Sequence, residues 1–456
     1  ADMDYAVTRY VYNELNQPVA MIDALGQTTT YEYDYAGNVT EMTDRNGTVT
    51  NVEYNLWGAP VTQSAAKDGI TQTITNTYDQ LGLLRSTIDE NGTTTYDNDA
   101  MGRLTEEEFG DTINSYSYDM YGNRTAYTLT RGGATLSATS YTYDSMNRLA
   151  TMTNGGVTTS YTYDANGQVL TEQGGGYSTS YTYNDGGLLT AKTGTGAAGE
   201  VLDVSYSHAL DGNILQKDDE DEGVTTYVYD GAGRLTGETN AAADVANSYS
   251  YDEYGNRTGA VLGGTAVSYT YDKNNRLTKE SATAGGTTTD VLYQYDPNGN
   301  RVSVVTSSVT TEQAGTAGIS LELPQLETAL NRYDAFGRLV ESEITKDGAL
   351  TQIAYTYNAS GYRTSKTVNG VTTEHVLDGA NVAADVANGQ VTQYVRGLGL
   401  TVLVQADGTR LQYVTDVHGD VKKLMDGSGA VVVDYAYDAF GNQTSETEDS
   451  NPFRYA

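Results

Sequence analysis

The sequence holds no cysteine, 5 prolines, 1 tryptophan, 4 phenylalanines and 3 histidines in 456 residues. Without cysteine there is no disulfide scaffold, no thiolate zinc site and no cysteine nucleophile. So little proline, with no glycine at every third position, excludes a collagen-like chain. Basic residues are few against acidic ones, 26 to 60, giving a formal net charge of −34. A chain this negative repels phosphate, so nucleic acid and anionic lipid are not expected partners. No apolar run reaches the roughly 18 residues of a membrane helix, so no membrane span is expected. The opening Ala1-Asp2-Met3-Asp4-Tyr5 has neither a basic nor an apolar stretch, so no signal peptide is read there. Lacking an initiator Met, the sequence reads as a piece of a longer protein. Cysteine avoidance with abundant Thr, Tyr, Gly and Asn suits a secreted or cell-surface bacterial protein.

What is abundant is tyrosine, 39 residues, and glycine, 50. The tyrosines recur as Tyr-x-Tyr, from Tyr31/Tyr33 and Tyr116/Tyr118 to Tyr355/Tyr357 and Tyr435/Tyr437. The second tyrosine is usually followed by aspartate, then by a turn. The positions are Tyr33-Asp34 with Gly37, Tyr118-Asp119 with Gly122, Tyr143-Asp144, Tyr163-Asp164, Tyr229-Asp230, Tyr251-Asp252 with Gly255, Tyr271-Asp272, Tyr295-Asp296, Tyr333-Asp334, and Tyr437-Asp438 with Gly441. Some turns end in Gly-Asn, as at Gly37-Asn38, and others in Arg-Leu, as at Arg148-Leu149. Successive units lie mostly 20 to 25 residues apart, the signature of a repeat architecture.

Each unit reads as two strands and two turns. Tyr-x-Tyr has the strand period, so both rings lie on one face, and Thr and Tyr favour strands. Aspartate ends the strand by accepting a local backbone N–H, and the following Gly or Asn tolerates positive φ. A second turn follows, often Asn-Gly, as at Asn46-Gly47, Asn91-Gly92, Asn154-Gly155 and Asn369-Gly370. The expected fold is all-β, a continuous antiparallel meander of about 17 hairpin units, or about 34 strands. At about 4.8 Å per strand this ribbon is on the order of 160 Å long, one circuit of a shell about 50 Å across. A phenol has an apolar body and a polar tip, which suits a sheet face that meets water rather than a dry core.

The units Tyr33-Asp34-Tyr35-Ala36-Gly37-Asn38 and Tyr118-Asp119-Met120-Tyr121-Gly122-Asn123-Arg124 resemble the YD repeats of Rhs proteins, Tc toxin C subunits, wall-associated proteins and teneurins. The resemblance covers nearly the whole chain. The stretches Tyr394–Leu400, Tyr413–Asp420 and Asn451–Ala456 look like the entry to the Rhs-associated core. The resemblance implies a spiral of antiparallel hairpins, a YD-repeat cocoon, complete or partial, enclosing a C-terminal toxin or other cargo domain. It also implies a core that in some members carries a self-cleaving aspartyl protease site; no residue here matches one. The implied division is a repeat spiral over 1–305, an insertion over 306–331, and repeats over 332–456 leading into the core. The insertion reads as an excursion loop or a short helix after Pro324. At Ser207–Asn213 the turn reads as gaining a residue.

Chemistry is sparse. His208, His375 and His418 are far apart and read as turn or surface residues, with no zinc-motif spacing. Asp218-Asp219-Glu220-Asp221-Glu222 reads as a solvated acidic hairpin tip. Asp164-Ala165-Asn166-Gly167 and Asp296-Pro297-Asn298-Gly299 resemble the start of a calcium loop but lack its twelfth-position Glu. Catalytic residues, metal ligands and cofactors are all expected to be absent. Besides a cargo domain, expected partners are other shell segments or, in the alternative of an adhesion or carbohydrate-binding wall protein, cell-surface glycans.

Overall fold

The computed structural model describes residues 6–197, 199–310, 326–445, 449 and 451–454. Among them are 39 strands and no helix. The fold is all-β, an open spiral of antiparallel hairpins in which strands pair with their neighbours in sequence. Leu149–Asn154 pairs with Val157–Tyr163, which pairs in turn with Val169–Gly174. The tight turns explain the pairing: Gly155 and Gly156 both have positive φ, 59° and 78°, so the two-residue connection twists with its strands.

At the other end of each hairpin the register slips by one residue just before the second tyrosine, between Ser117 and Tyr118, Thr142 and Tyr143, and Thr162 and Tyr163. Such a bulge bends the strand and re-aims its side chain. The feature at Ser207–Asn213 is this same recurring bulge. The register slips between Ser207 and His208, and the turn closes from Ala209 to Asn213 as it does from Asp34 to Asn38. No residue is gained there: His208 and Ala209 stand where Tyr and Asp stand elsewhere.

Around the expected insertion, Arg301–Thr310 and Leu326–Tyr333 are paired strands, so residues from 326 on are extended. Pro324 lies outside the described residues.

The chain forms two compact units, each built from two stretches. Unit 1 holds residues 1–103 and 249–374, and unit 2 holds 104–248 and 375–456.

In unit 1 the Tyr face is mostly half-buried: Tyr31, Tyr293 and Tyr355 are neither covered nor free. In unit 2 the later strands lie across the Tyr face of the earlier ones. Tyr116, Leu129, Tyr141, Met152 and Tyr161 share a core with Val376, Ala384, Val395 and Val402. Tyr177, Val204 and Tyr206 share another with Val414 and Met425. The wet face expected for the tyrosines is therefore dry in unit 2. The reason lies in strands such as Leu400–Val404 and Val421–Met425, which are buried nearly throughout. The apolar run Val402-Leu403-Val404 does not alternate, which is the pattern of a strand covered on both faces, whereas Val421–Met425 buries two lysines that pair with Glu222 and Asp221.

Candidate functional site

The repeated turn is the unit from which the sheet is built. In the first repeat turn, Asp34 Oδ1 accepts the N–H groups of Ala36 (2.8 Å) and Asn38 (2.9 Å), and Oδ2 accepts from Asn38 Nδ2 (2.8 Å). Gly37, at φ 91°, donates its N–H to the Asp34 carbonyl. Asp119 with Asn123, Asp252 with Asn256, Asp296 with Asn300 and Asp438 with Asn442 repeat the side-chain pair. The Arg-Leu variant is the same device with another donor. Arg148 Nε gives Asp144 Oδ2 a hydrogen bond of 2.8 Å, and Arg234, Arg276 and Arg338 do likewise for Asp230, Asp272 and Asp334. Asn147, at φ 64°, takes the glycine's place in one of these turns. Asp164 accepts from Asn166 and Gln168. The carboxylates of the two calcium-like stretches are thus acceptors within repeat turns.

Hydrogen bonds from the Asn or Arg side chain hold the carboxyls of Asp34, Asp99 and Asp119 below the usual range, and backbone N–H groups do so for Asp79, Asp144 and Asp230. A depressed carboxyl contributes stability above its unfolded value, about 4, and loses it as pH falls through the folded value. The urea midpoint is therefore expected to hold from neutral pH to about 5 and to fall steeply below about 4. A midpoint that collapsed between neutrality and pH 5 would contradict this.

The second tyrosine closes the unit. Its hydroxyl donates to a carbonyl near the start of the preceding strand: Tyr33 to Pro18 (2.6 Å), Tyr118 to Leu104 (2.8 Å), Tyr163 to Leu149 (2.7 Å) and Tyr437 to Val421 (3.0 Å). Tyr143, Tyr271, Tyr295 and Tyr333 tie to Arg124, Arg257, Leu277 and Arg301. Tyr229 and Tyr251 hold the same place, half-buried. This bond is why the position is Tyr and not Phe, a cause that sequence reasoning missed although the near-absence of Phe was its signal. Tyr163→Phe is expected to cost about 0.5–1.5 kcal/mol. Tyr161→Phe, two residues away, removes a buried hydroxyl that has no partner, and is expected to stay within about 0.5 kcal/mol of zero. Chemical denaturation of both variants checks the pair.

In unit 1 these turns also join the ribbon to itself across 248 to 266 residues of sequence. Asn274 Nδ2 donates to Asp23 Oδ2 (2.8 Å), while the Ala24 N–H donates to Asn274 Oδ1 (3.2 Å). At the next turn Asn298 reaches Asp44 and Asn46 reaches Asp296, so each turn gives and receives. Arg45 bonds both Asp23 and the Asn298 carbonyl. Further on, Lys67 meets the Tyr333 carbonyl, Arg338 meets Glu90, and Asn91 meets the Tyr357 carbonyl. The result is a seam of polar turns in register. It shows that the ribbon overlaps itself well before its full length, where one circuit was expected from all of it.

In unit 2 charged anchors hold the covering strands. Arg124 Nη1 pairs with Asp378 Oδ2 at 2.7 Å, and its guanidinium lies over the rings of Tyr116, Tyr127 and Tyr141. Buried Lys192 donates to the carbonyl and Oγ1 of Thr415, and burial pushes its ammonium down to about 8. Burial pushes the nearby Glu172 carboxyl up. The acidic run is not simply a solvated tip. Glu222 binds Lys217 and Lys422, Asp221 binds Lys423, and Asp219 is buried. Lys422 and Lys423 lie some 200 residues away in sequence, so no local pattern marks them.

The histidines differ from one another. His418 is an exposed turn residue, as expected. His375 is instead a nearly buried strand residue whose Nδ1 meets Asp385 Oδ1 at 2.6 Å, and Tyr394 donates to the other Asp385 oxygen. His208 ends a strand beside Tyr206, with its Nδ1 buried. Among the described residues the three form no common ligand group, and repeat residues meet locally, as Asp252, Tyr271 and Asp272 do around one cleft.

Residues 12–49 match the family model of the RHS repeat, and residues 61–198 and 197–313 match that of the teneurin YD-shell. The tRNA3(Ser)-specific nuclease WapA of Bacillus spizizenii is 29% identical over 188 residues, 36% of this chain and 8% of that protein. The tRNA nuclease WapA of Bacillus subtilis is 28% identical over the same shares. The chain thus spans less than a tenth of the length of these curated relatives. Among solved structures, those of TcdB2-TccC3-TEV and TcdB2-TccC3 superpose with TM-scores of 0.64 and 0.63 at 14% identity, over 96% of this chain and 25% of theirs. At that identity the likeness is one of fold. Among the described residues no helix is long and apolar enough to cross a membrane.

Proposed function

The chain belongs to the YD-shell family, and from that premise we propose that it is a wall segment enclosing a C-terminal toxin or other cargo domain of its parent protein. Its role is structural. The observation that carries the reading is the seam of unit 1. A ribbon whose turns lock onto turns one circuit later, through reciprocal pairs such as Asp44 with Asn298 and Asp296 with Asn46, makes a continuous wall and not a free strip. In this reading the protein works by separating its contents from solvent and is not an enzyme. The division into a spiral (1–305), an insertion (306–331) and a stretch leading to the core (332–456) belongs to the same proposal, as does a secreted or cell-surface bacterial location.

The test compares the segment that follows in the parent, expressed alone and joined to this wall. The joined form is expected to be silent in a toxicity or activity assay in which the free segment is active. Equal activity of the two would refute enclosure. The alternative of a glycan-binding wall rests on the exposed aromatic turn tips Tyr35 and Trp57. Glycan-array binding lost on replacing both by alanine would favour it.

A further inference from the structure

The turns of a meander alternate between its two edges. In the first stretch of unit 1, the turns at Asp23 and Asp44 form one side of the seam, and the turns 13–17, 34–38, 55–59, 79–83 and 99–103 lie along the opposite edge. The two edges differ in chemistry. The turns that dock in the seam carry Asn274 and Asn298 in third place, where each bonds a carboxylate. The opposite edge carries Leu15, Trp57, Leu81 and Met101 in third place, with Leu56 beside Trp57, and Tyr35 second in its turn. These side chains are exposed, from 68% at Trp57 to 111% at Tyr35. Consecutive tips lie two strands apart, roughly 10 Å, so the row is on the order of 40 Å long.

Three observations bear on what such a row meets. The backbone of the tips is satisfied from within. Asn13 Oδ1 accepts the Leu15 N–H (3.0 Å), Asn55 that of Trp57 (3.0 Å), Asp79 that of Leu81 (2.8 Å) and Asp99 that of Met101 (2.9 Å). A tip held in this way leaves water without stranding a donor. The carboxylates behind two of the tips are paired, Asp79 with Arg85 and Asp99 with Arg103. The spacing decides between partners. A protein partner of standard size covers about 800 Å² on each side with a contiguous packed centre. Tips one turn wide and roughly 10 Å apart offer no such patch, whereas a lipid headgroup layer closes around each tip separately. Tryptophan and tyrosine at the level of leucine and methionine suit that layer, where an aromatic ring keeps its polar end wet.

We propose that this edge of unit 1 binds the interface of a zwitterionic lipid bilayer, with the turn tips immersed among the headgroups and the strands left in water. The bilayer is zwitterionic because a chain of net charge −34 is repelled by anionic headgroups. The binding is independent of whether the wall encloses a cargo.

Trp57 is the only tryptophan of the chain, so its fluorescence reports this edge alone. The full chain is mixed with phosphatidylcholine vesicles. Its emission is expected to shift to the blue, to be quenched by bromine carried on the acyl chains close to the headgroup, and the protein is expected to float with the vesicles. The triple variant Leu15→Ser, Leu81→Ser, Met101→Ser keeps the reporter and changes only exposed positions. It should unfold at the wild-type urea midpoint and lose roughly tenfold or more in lipid partition. Leu350→Ser, exposed elsewhere in unit 1, should bind as wild type does. Each of four results would overturn the proposal: no change in Trp57 emission up to millimolar lipid, equal partition of the triple variant and wild type, binding that requires anionic lipid, or a blue shift that follows protein concentration without lipid, which would assign the edge to a second copy of the chain.

Discussion

Leu129→Ala is expected to destabilise the protein by about 2–5 kcal/mol, the range for deleting a fully buried leucine side chain. Leu129 is 0% exposed and shares a core with Tyr127, Tyr141 and the later strands of unit 2. A cavity there cannot relax easily, because both layers are anchored through Arg124 and Asp378. Ile88→Ala in unit 1 is the control. Ile88 is 45% exposed on a strand with no such cover, and its loss should cost about 1 kcal/mol or less. Equal costs in urea unfolding would mean that the two units do not differ in the dryness of their Tyr face.

The second large effect concerns Asp378. Asp378→Ala leaves the Arg124 guanidinium over three phenol rings without its carboxylate. Breaking a fully buried pair costs about 3–5 kcal/mol. Here the side chains are 31% and 20% exposed, so solvent screening brings the expected cost to about 2–3 kcal/mol. Adding Arg124→Met should recover most of that loss, because an apolar chain of similar length removes the stranded charge and keeps the packing on the rings. A double variant no more stable than Asp378→Ala would show that the cost lies in packing and not in charge.

The repeat was legible in the sequence because its causes are local. Tyr-x-Tyr, the following Asp and the Gly or Asn at positive φ lie within seven residues, and each has a physical role in the strand or turn that holds it. That much gives the all-β class and the spiral of hairpins, and the resemblance to YD repeats rests on the same residues. What the sequence hid lies between residues 200 to 266 positions apart. Nothing near Asp44 announces Asn298, and nothing in the run Asp218–Glu222 announces Lys422 and Lys423. His375 was misread for another reason: its partner Asp385 is near in sequence, on the next strand, but the burial of the pair comes from the layer it belongs to. Two signals were present and undervalued. One is the choice of Tyr over Phe, which the carbonyl bonds of Tyr33 and Tyr163 explain. The other is the unbroken apolar run Val402-Leu403-Val404, which marks a strand covered on both faces.

Under the proposed function, the strands that cover the Tyr face in unit 2 and the seam in unit 1 each serve enclosure. The measurement that tests this most directly is limited proteolysis of the parent protein, timing cleavage of the segment that follows this chain against the same segment expressed alone. Enclosure predicts that the free segment is digested while the joined one persists until the wall itself is unfolded by acid or urea. Digestion of both at the same rate, with the wall still folded, would contradict it.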